Sequence, residues 1–546
     1  MSHVQIKQVK ISFDQKLVHD YIHNYEKVKE FYPYHPYRQK DYEERLAWLE
    51  AHPILHRVEL VEGLLAFNKE IGNHARALEN IEKLRQPDTY VVVAGQQAGA
   101  LTGPLYTIHK AITIIRLAAE QERLLGKRMI PVFWIAGEDH DYEEVNHVYT
   151  QSGGSDIKKI KLETESPGRV SISRLPIKPE TLRAFVDEYF IQQIVTEFSD
   201  ELKEKLYEFA DASDTLTGFF ARTMAWLFGE QGLVLMDSAL SFVRQLERPV
   251  FARVIEQNAE LNQAVAAQGN KLVALGYHRQ VETDETNAQF FLYKGNERIG
   301  VTRLPDGTFK TRDGSETYKK EELLALLEEQ PDRFSANVVT RPLMQEYLLP
   351  TLAFVGGPGE IAYWGLYRNS FMLLGFNMPP LVPRLTFSLF EGAVQKSMRK
   401  FGLSVEDVLN RLEEKKEEFL AAQDTLHLED KFARVKAEIQ ALYEPLIREA
   451  AGIERGLEKL GEKNLEKILE QVAYYEGKTR SAFIKRHEAA LRQFDRIRAS
   501  LFPLDKPQER VYNIFGYLNK YGITWFREFV SYLYDISPEH YVVCID

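Results

Sequence analysis

TYVVVAGQQAGALTGPLYTIHK, residues 89–110, decides how this chain folds. Thr89–Ala94 is an unbroken, largely β-branched run closed by Gly95, the pattern of a strand buried on both faces of a parallel sheet. From about Pro104 to Leu125 the residues Ile108, Ile112, Ile115 and Ala119 fall on one face, and Gly126 follows, which predicts a helix. Met129–Ala136 (MIPVFWIA) then reads as a second buried strand. Strand, helix, strand with a crossover of roughly 20 residues is the right-handed parallel unit.

Gly232–Asp237 (GLVLMD), Thr351–Val355 (TLAFV) and Leu381–Arg384 extend the same sheet, with a helix expected from about Glu360 to Leu374. The fold class is therefore α/β, a Rossmann-like parallel-sheet core interrupted by two insertions and followed by a helical coiled coil. The expected organisation gives 1–150 to the first part of the core with a helical N-terminus and 151–230 to a first connecting insertion with short strands at Ile157–Leu162 and Arg169–Leu175. A core strand and helix take 231–257, an antiparallel β-rich second insertion 258–338, and the last part of the core 339–402. The coiled coil takes 403–500, and 501–546 packs on the core or the coil. In the coil, Phe432, Val435, Ile439, Leu442, Leu446, Ala450, Ile453, Leu457 and Leu460 step by three or four, and Gly461 is the expected break. A further helix through Leu465, Ile468, Val472 and Phe483 to Ile497 folds back as a hairpin or pairs with a second subunit.

Composition narrows the function classes. A chain of 546 residues, 44% hydrophobic, has material for several domains. Its formal net charge of −11 disfavours nucleic acid and anionic membranes as partners. Cys544 is the single cysteine, so neither an intrachain disulfide nor a Cys-rich metal site can form. The N-terminus lacks a basic region followed by an apolar one, and no apolar run approaches the roughly 18 residues of a membrane span. A cytoplasmic location is expected.

Three loops at predicted strand ends carry the chemistry, because ligands of open α/β sheets bind at the carboxyl ends of the strands. In the first, Gln96 and Gln97 offer amides, Thr102, Gly103 and the neighbouring glycines a close backbone approach, and Tyr106, His109 and Lys110 open the helix. In the second, GEDHDYEEVNH (137–147), Asp139, His140 and Asp141 are acid, base or ammonium-binding groups, with Asn146 and His147 beside them. If this segment is helical, His140, Glu144 and His147 share a face compatible with a metal ion, although the spacing is not HExxH. In the third, VGGPGEIAYWGLYR (355–368), Gly356, Gly357 and Gly359 form a phosphate or carboxylate cradle and Glu360 meets an amine, with Tyr363 as a further contact and Arg341 and Arg384 flanking the loop as partners for carboxylates or phosphates. A glycine turn needed only by packing, an acid-capped helix start and an aromatic core face are the plain alternatives for the three loops.

AGQQAGALTGPLYTIHKA, IPVFWIAGEDHDYEEVNHV, FVGGPGEIAYW, PRLTFSLFE and LFPLDKPQERVYNIFGYLNKYG together resemble the BshC-type cysteine-adding enzymes of bacillithiol synthesis. The resemblance implies that cysteine is joined to the amino group of glucosaminyl-malate as an amide. It also implies a nucleotidyltransferase-like core, a homodimer through the coiled coil, and activation of a carboxylate by ATP with Mg²⁺ but no tightly bound metal. Enzymes of that wider fold carry HxGH at the first helix start. Here Tyr106, Ile108 and His109 stand at those positions, so one of the two histidines is kept. On this reading Lys110 and His109 stabilise phosphoryl charge while Asp139, His140 and Asp141 orient cysteine or deprotonate the amine. A synthetase-like protein that binds a metabolite or RNA without catalysis, and a metal-dependent hydrolase, are the rival readings.

Overall fold

The computed structural model describes residues 5–9, 15–151, 156–164, 168–281 and 284–545. Five parallel strands form the central sheet, namely β1 (Thr89–Gln96), β2 (Arg128–Ile135), β3 (Val234–Asp237), β4 (Thr351–Gly356) and β5 (Leu381–Pro383), in the spatial order β5-β4-β1-β2-β3. The unbroken apolar runs follow from burial on both faces. Tyr90, Val92 and Ala94 of β1 pack with Ile108 and Ile112 of α1 (Tyr106–Leu125), whereas Val91 and Val93 pack with Leu60 and Leu64 of the N-terminal helix Arg57–Glu70. Gly126 ends α1 in the left-handed conformation, φ 65°, as a C-terminal cap requires. Parallel pairing sets every strand's carboxyl end at one edge, so the loops after Gln96, Ile135, Gly356 and Pro383 meet there.

The first insertion holds an antiparallel pair, His147–Gln151 with Ile157–Lys161, and three helices. The strand expected at Arg169–Leu175 does not form. Its backbone N–H groups are drawn to the loop after β2, with Ile172 donating to Asp139 O at 2.8 Å and Ser173 to Gly137 O at 2.9 Å, and a 3₁₀ turn results. The second insertion is a five-stranded antiparallel sheet from Asn287 to Ala336 behind the helix Asn258–Ala274. The helix expected from Glu360 to Leu374 is divided into Pro358–Trp364 and Arg368–Leu373. The C-terminal strand His540–Ile545 lies between Gln5–Val9 and Thr386–Glu391.

One compact unit runs to Leu389 and resumes at Leu504; the other is helical, from Phe390 to Pro503, and so begins before the expected residue 403. In that second unit Leu428–Ala451 and Gly456–Arg486 pair as an antiparallel hairpin within the chain. Tyr443 donates to Asn464 Oδ1 at 2.7 Å, and Lys436 pairs with Glu476. The turn lies at residues 452–455, not at Gly461. Gly461 sits inside the second helix, where an added Cβ would stand 2.7 Å from Ile447 Cγ1, so its role is close helix approach. Among the described residues no helix is long and apolar enough to cross a membrane.

Candidate active site

A cavity of about 700 Å³ opens at the carboxyl edge of the sheet. From α1, Lys110 reaches back to the end of β1, donating to Gly95 O at 2.6 Å and Gln96 Oε1 at 3.0 Å and pairing with Glu360. Burial pulls the Lys110 pKa below its ordinary value, and Glu360 opposes that pull. Glu360 also accepts from Gly357 N at 2.8 Å. The backbone N–H expected to cradle an anion is thus taken by the protein's own carboxylate.

At the end of β2 the chain turns tightly at Gly137, where an added Cβ would collide with Ser173 Oγ and Asp237 Oδ1. Glu138 is buried and accepts from Ser335 Oγ at 2.6 Å, Ala336 N at 3.1 Å and Arg244 at 3.0 Å, which ties the second insertion to the core. Asp139 accepts from Gln97 Nε2 at 2.7 Å and from His140 N at 2.8 Å, and its side chain is 36% exposed. His140 Nδ1 lies 3.1 Å from NH1 of Arg298, itself stacked 3.8 Å from the centre of the Phe291 ring. Burial first, and the Arg298 charge second, lower the His140 pKa.

Gln96, Gln97, Tyr106, Lys110, Asp139, His140, Gly357, Glu360, Tyr363 and Arg384 all line this cavity. His109, Thr102, Gly103, Asp141, Asn146, His147 and Gly356 do not. The loop from 99 to 105 is sealed by the C-terminal segment, because Leu105 N donates to Tyr512 O at 2.9 Å and Asn513 Nδ2 donates to Gly103 O at 2.8 Å. Leu105 N, just before α1, is therefore not open to a ligand. His109 points away as well, its Nδ1 2.9 Å from Glu509 Oε2, while Arg384 clamps the same carboxylate. Although burial opposes it, the Arg384 charge and the His109 hydrogen bond hold Glu509 well below the usual carboxylate range. The helix that the metal reading needed is only Tyr142–Val145, and His147 opens a strand, so His140, Glu144 and His147 share no helix face. Among the described residues no group of three or more His, Cys, Asp or Glu is placed to hold a metal ion.

Arg298, Asn287, Phe291 and Asn337 of the second insertion, and Arg510, also line the cavity and were not among the expected site residues, whereas Arg341, at the start of the helix Arg341–Leu348, was expected beside the third loop. Arg298 lies in an alternating strand, ERIGVTR, where its inward position looks like any other in the register.

Two family models divide the chain between them: the bacillithiol biosynthesis BshC N-terminal Rossmann-like domain matches residues 4–385 and the BshC C-terminal coiled-coil domain matches 387–545. A relative from Geobacillus sp. (strain WCH70) is 37% identical over 99% of this chain and 100% of its own length. One from Geobacillus thermodenitrificans is 39% identical over 98% of each, and one from Bacillus cytotoxicus is 37% identical over 99% of this chain and 100% of its own. Each carries the name "Putative cysteine ligase BshC". With both family domains matched end to end and the parallel sheet and hairpin in place, this chain belongs to the bacillithiol-biosynthesis BshC family.

Proposed function

We propose that this chain is a ligase that joins the carboxyl group of cysteine to the amino group of glucosaminyl-malate, forming an amide, in the cavity at the strand ends. The observation that carries the reading is Asp139: a carboxylate held by Gln97, partly exposed, in a cavity otherwise rich in guanidinium groups. A substrate with one ammonium and several carboxylates needs this mixture. Relatives spanning the full chain are named as cysteine ligases, which supports the same assignment.

In this mechanism Asp139 holds the acceptor's ammonium and takes the proton whose loss frees the nitrogen lone pair to attack the cysteine carbonyl carbon, and the second N–H proton passes to water as the amide forms. The C–N bond forms as the bond from that carbon to the departing activating group breaks. Gln97 fixes the carboxylate's orientation. His140 contributes a donor: a guanidinium only donates, so Nδ1 accepts from Arg298 and the neutral ring carries its proton on Nε2. That hydrogen is available to an oxygen of the substrate.

A free carboxylate must be activated before an amine displaces its oxygen, and ATP with Mg²⁺ is the proposed activator. The glycine loops do not fit as its phosphate cradle, since Leu105 N and Gly357 N are already bonded within the protein and Lys110 is neutralised by Glu360. No step is therefore routed through the nucleotide. The proposed setting is the cytoplasm, with a homodimer formed through the helical hairpin. Leu442, Leu446, Ile453 and Leu460 remain 77, 56, 85 and 64% exposed, which supports that pairing.

The test is mass spectrometry of purified protein with cysteine, glucosaminyl-malate, ATP and Mg²⁺, each omitted in turn. The expected result is the cysteinyl amide, lost when either substrate or ATP is omitted. Product without ATP would retain the ligation and remove the nucleotide; no product under any condition would remove the ligase assignment.

A further inference from the structure

The charges in the cavity do not cancel. Lys110 has Glu360, Arg384 has Glu509, and Arg298 has Asp139 at 3.9 Å. Arg341 and Arg510 also line the cavity, and among the described residues neither has a carboxylate within ion-pair distance. Two guanidinium groups from two different segments are thus left for a ligand.

Arg341 is held in place before any ligand arrives. Its NH1 donates to Gln345 Oε1 at 3.2 Å, and the guanidinium lies 5.3 Å from the Phe354 ring centre. Its backbone N donates to Asn337 O at 2.9 Å. Asn337 Nδ2 in turn donates to Gln289 Oε1 at 2.8 Å, and Gln289 Nε2 to Asn262 Oδ1 at 2.6 Å, so a chain of amides that runs inward to the buried Gln289 and Asn262 braces the start of the helix. A cation ordered by this many contacts binds an anion with little further loss of conformational freedom.

Resting on the ligase reading above, we propose that Arg341 and Arg510 determine specificity for a dianionic acceptor, each binding one of the two carboxylates of its malyl group. Carboxylates fit a guanidinium pair directly, whereas phosphate sites also recruit backbone N–H groups at helix starts, and here Leu105 N and Gly357 N are bonded within the protein. The reacting carboxylate of cysteine fits less well, because a guanidinium clamped on its oxygens lowers the nucleophilicity that activation requires.

The experiment is isothermal titration of the full chain with glucosaminyl-malate, methyl glucosaminide, L-malate, L-cysteine and pyrophosphate, repeated on Arg341→Gln, Arg341→Lys and Arg510→Gln, with urea midpoints as the folding control. Loss of one charge-assisted contact should raise the Kd for glucosaminyl-malate and L-malate on the order of 10- to 100-fold in each Gln variant. Arg341→Lys should recover part of that loss, while methyl glucosaminide and cysteine bind as to the wild type. In turnover, KM for the acceptor should rise with kcat changed less. The proposal is overturned if L-malate and glucosaminyl-malate do not bind the wild type, if they bind both Gln variants unchanged, or if pyrophosphate or cysteine is the ligand lost. Arg-dependent binding of malate without any product would sink the ligase reading and leave the dicarboxylate site standing.

Discussion

Arg298 NH1 sits 3.1 Å from His140 Nδ1, and this contact fixes the ring's tautomer. With Nδ1 occupied and the pKa lowered by burial and by the guanidinium, His140 presents Nε2–H, a donor rather than a base. His140→Gln, whose amide NH₂ reaches a similar point, should keep more than a tenth of wild-type kcat. His140→Ala should lose roughly 100-fold, within the usual range for one positioned donor. Steady-state rates between pH 6 and 9 check this; equal losses in the two variants would show that the ring acts as a base.

Glu509 is the acceptor for both Arg384 and His109, so removing its charge leaves a buried guanidinium uncompensated. Glu509→Gln should cost about 3 kcal/mol or more of unfolding free energy. Urea titration followed by circular dichroism measures it. A cost below about 1 kcal/mol, the range of an exposed pair, would mean that this cluster is solvated.

The parallel sheet was legible because Thr89–Ala94 and Met129–Ala136 are too apolar for strands with a wet face. The hairpin was legible for the same kind of reason, a seam stepping by three and four, but its turn was not. Gly461 looks like a break in one dimension, and only the proximity of Ile447 shows that it serves packing. The site divides the same way. Gln97, Lys110, Asp139 and His140 stand beside strand ends, where local sequence places them. His109 and Gly103 share that stretch, yet they are covered by residues 508–513, some 400 positions away in the chain. Arg298 reaches the cavity through the tertiary placement of the second insertion, for which no local pattern exists.

Gly461 gives a direct test of that packing. Gly461→Val should destabilise the hairpin by about 1–3 kcal/mol through overpacking against Ile447. Ile447→Ala in the same chain should recover part of the loss, a coupling read from the double-mutant cycle in urea. Additive effects would contradict the close approach.

His540 predicts a pH dependence of stability. Its two nitrogens face Thr386 Oγ1 at 2.8 Å and Ser388 Oγ at 2.9 Å, and burial pushes its pKa down to about 4, with Glu509 opposing and His109 and Arg384 adding to the fall. The unfolded chain takes up this proton near pH 6.5, before the folded chain does. Stability from this group is therefore complete above about pH 6.5 and declines as pH falls toward 4. Between pH 7 and 5 the loss should be about 2 kcal/mol by linkage. His540→Gln should show a correspondingly shallower pH slope in urea unfolding; an unchanged slope would mean the ring protonates in place.

Whether the cavity at the strand ends is where cysteine is joined is tested most directly by product formation in the Asp139→Ala, His140→Ala double variant, with cysteine, glucosaminyl-malate, ATP and Mg²⁺ present and the urea midpoint measured alongside. The predicted result is wild-type stability within about 1 kcal/mol, as expected for partly exposed side chains, and a loss of product of at least 100-fold. Wild-type rates of product formation in a folded double variant would contradict it and place the chemistry elsewhere in the chain.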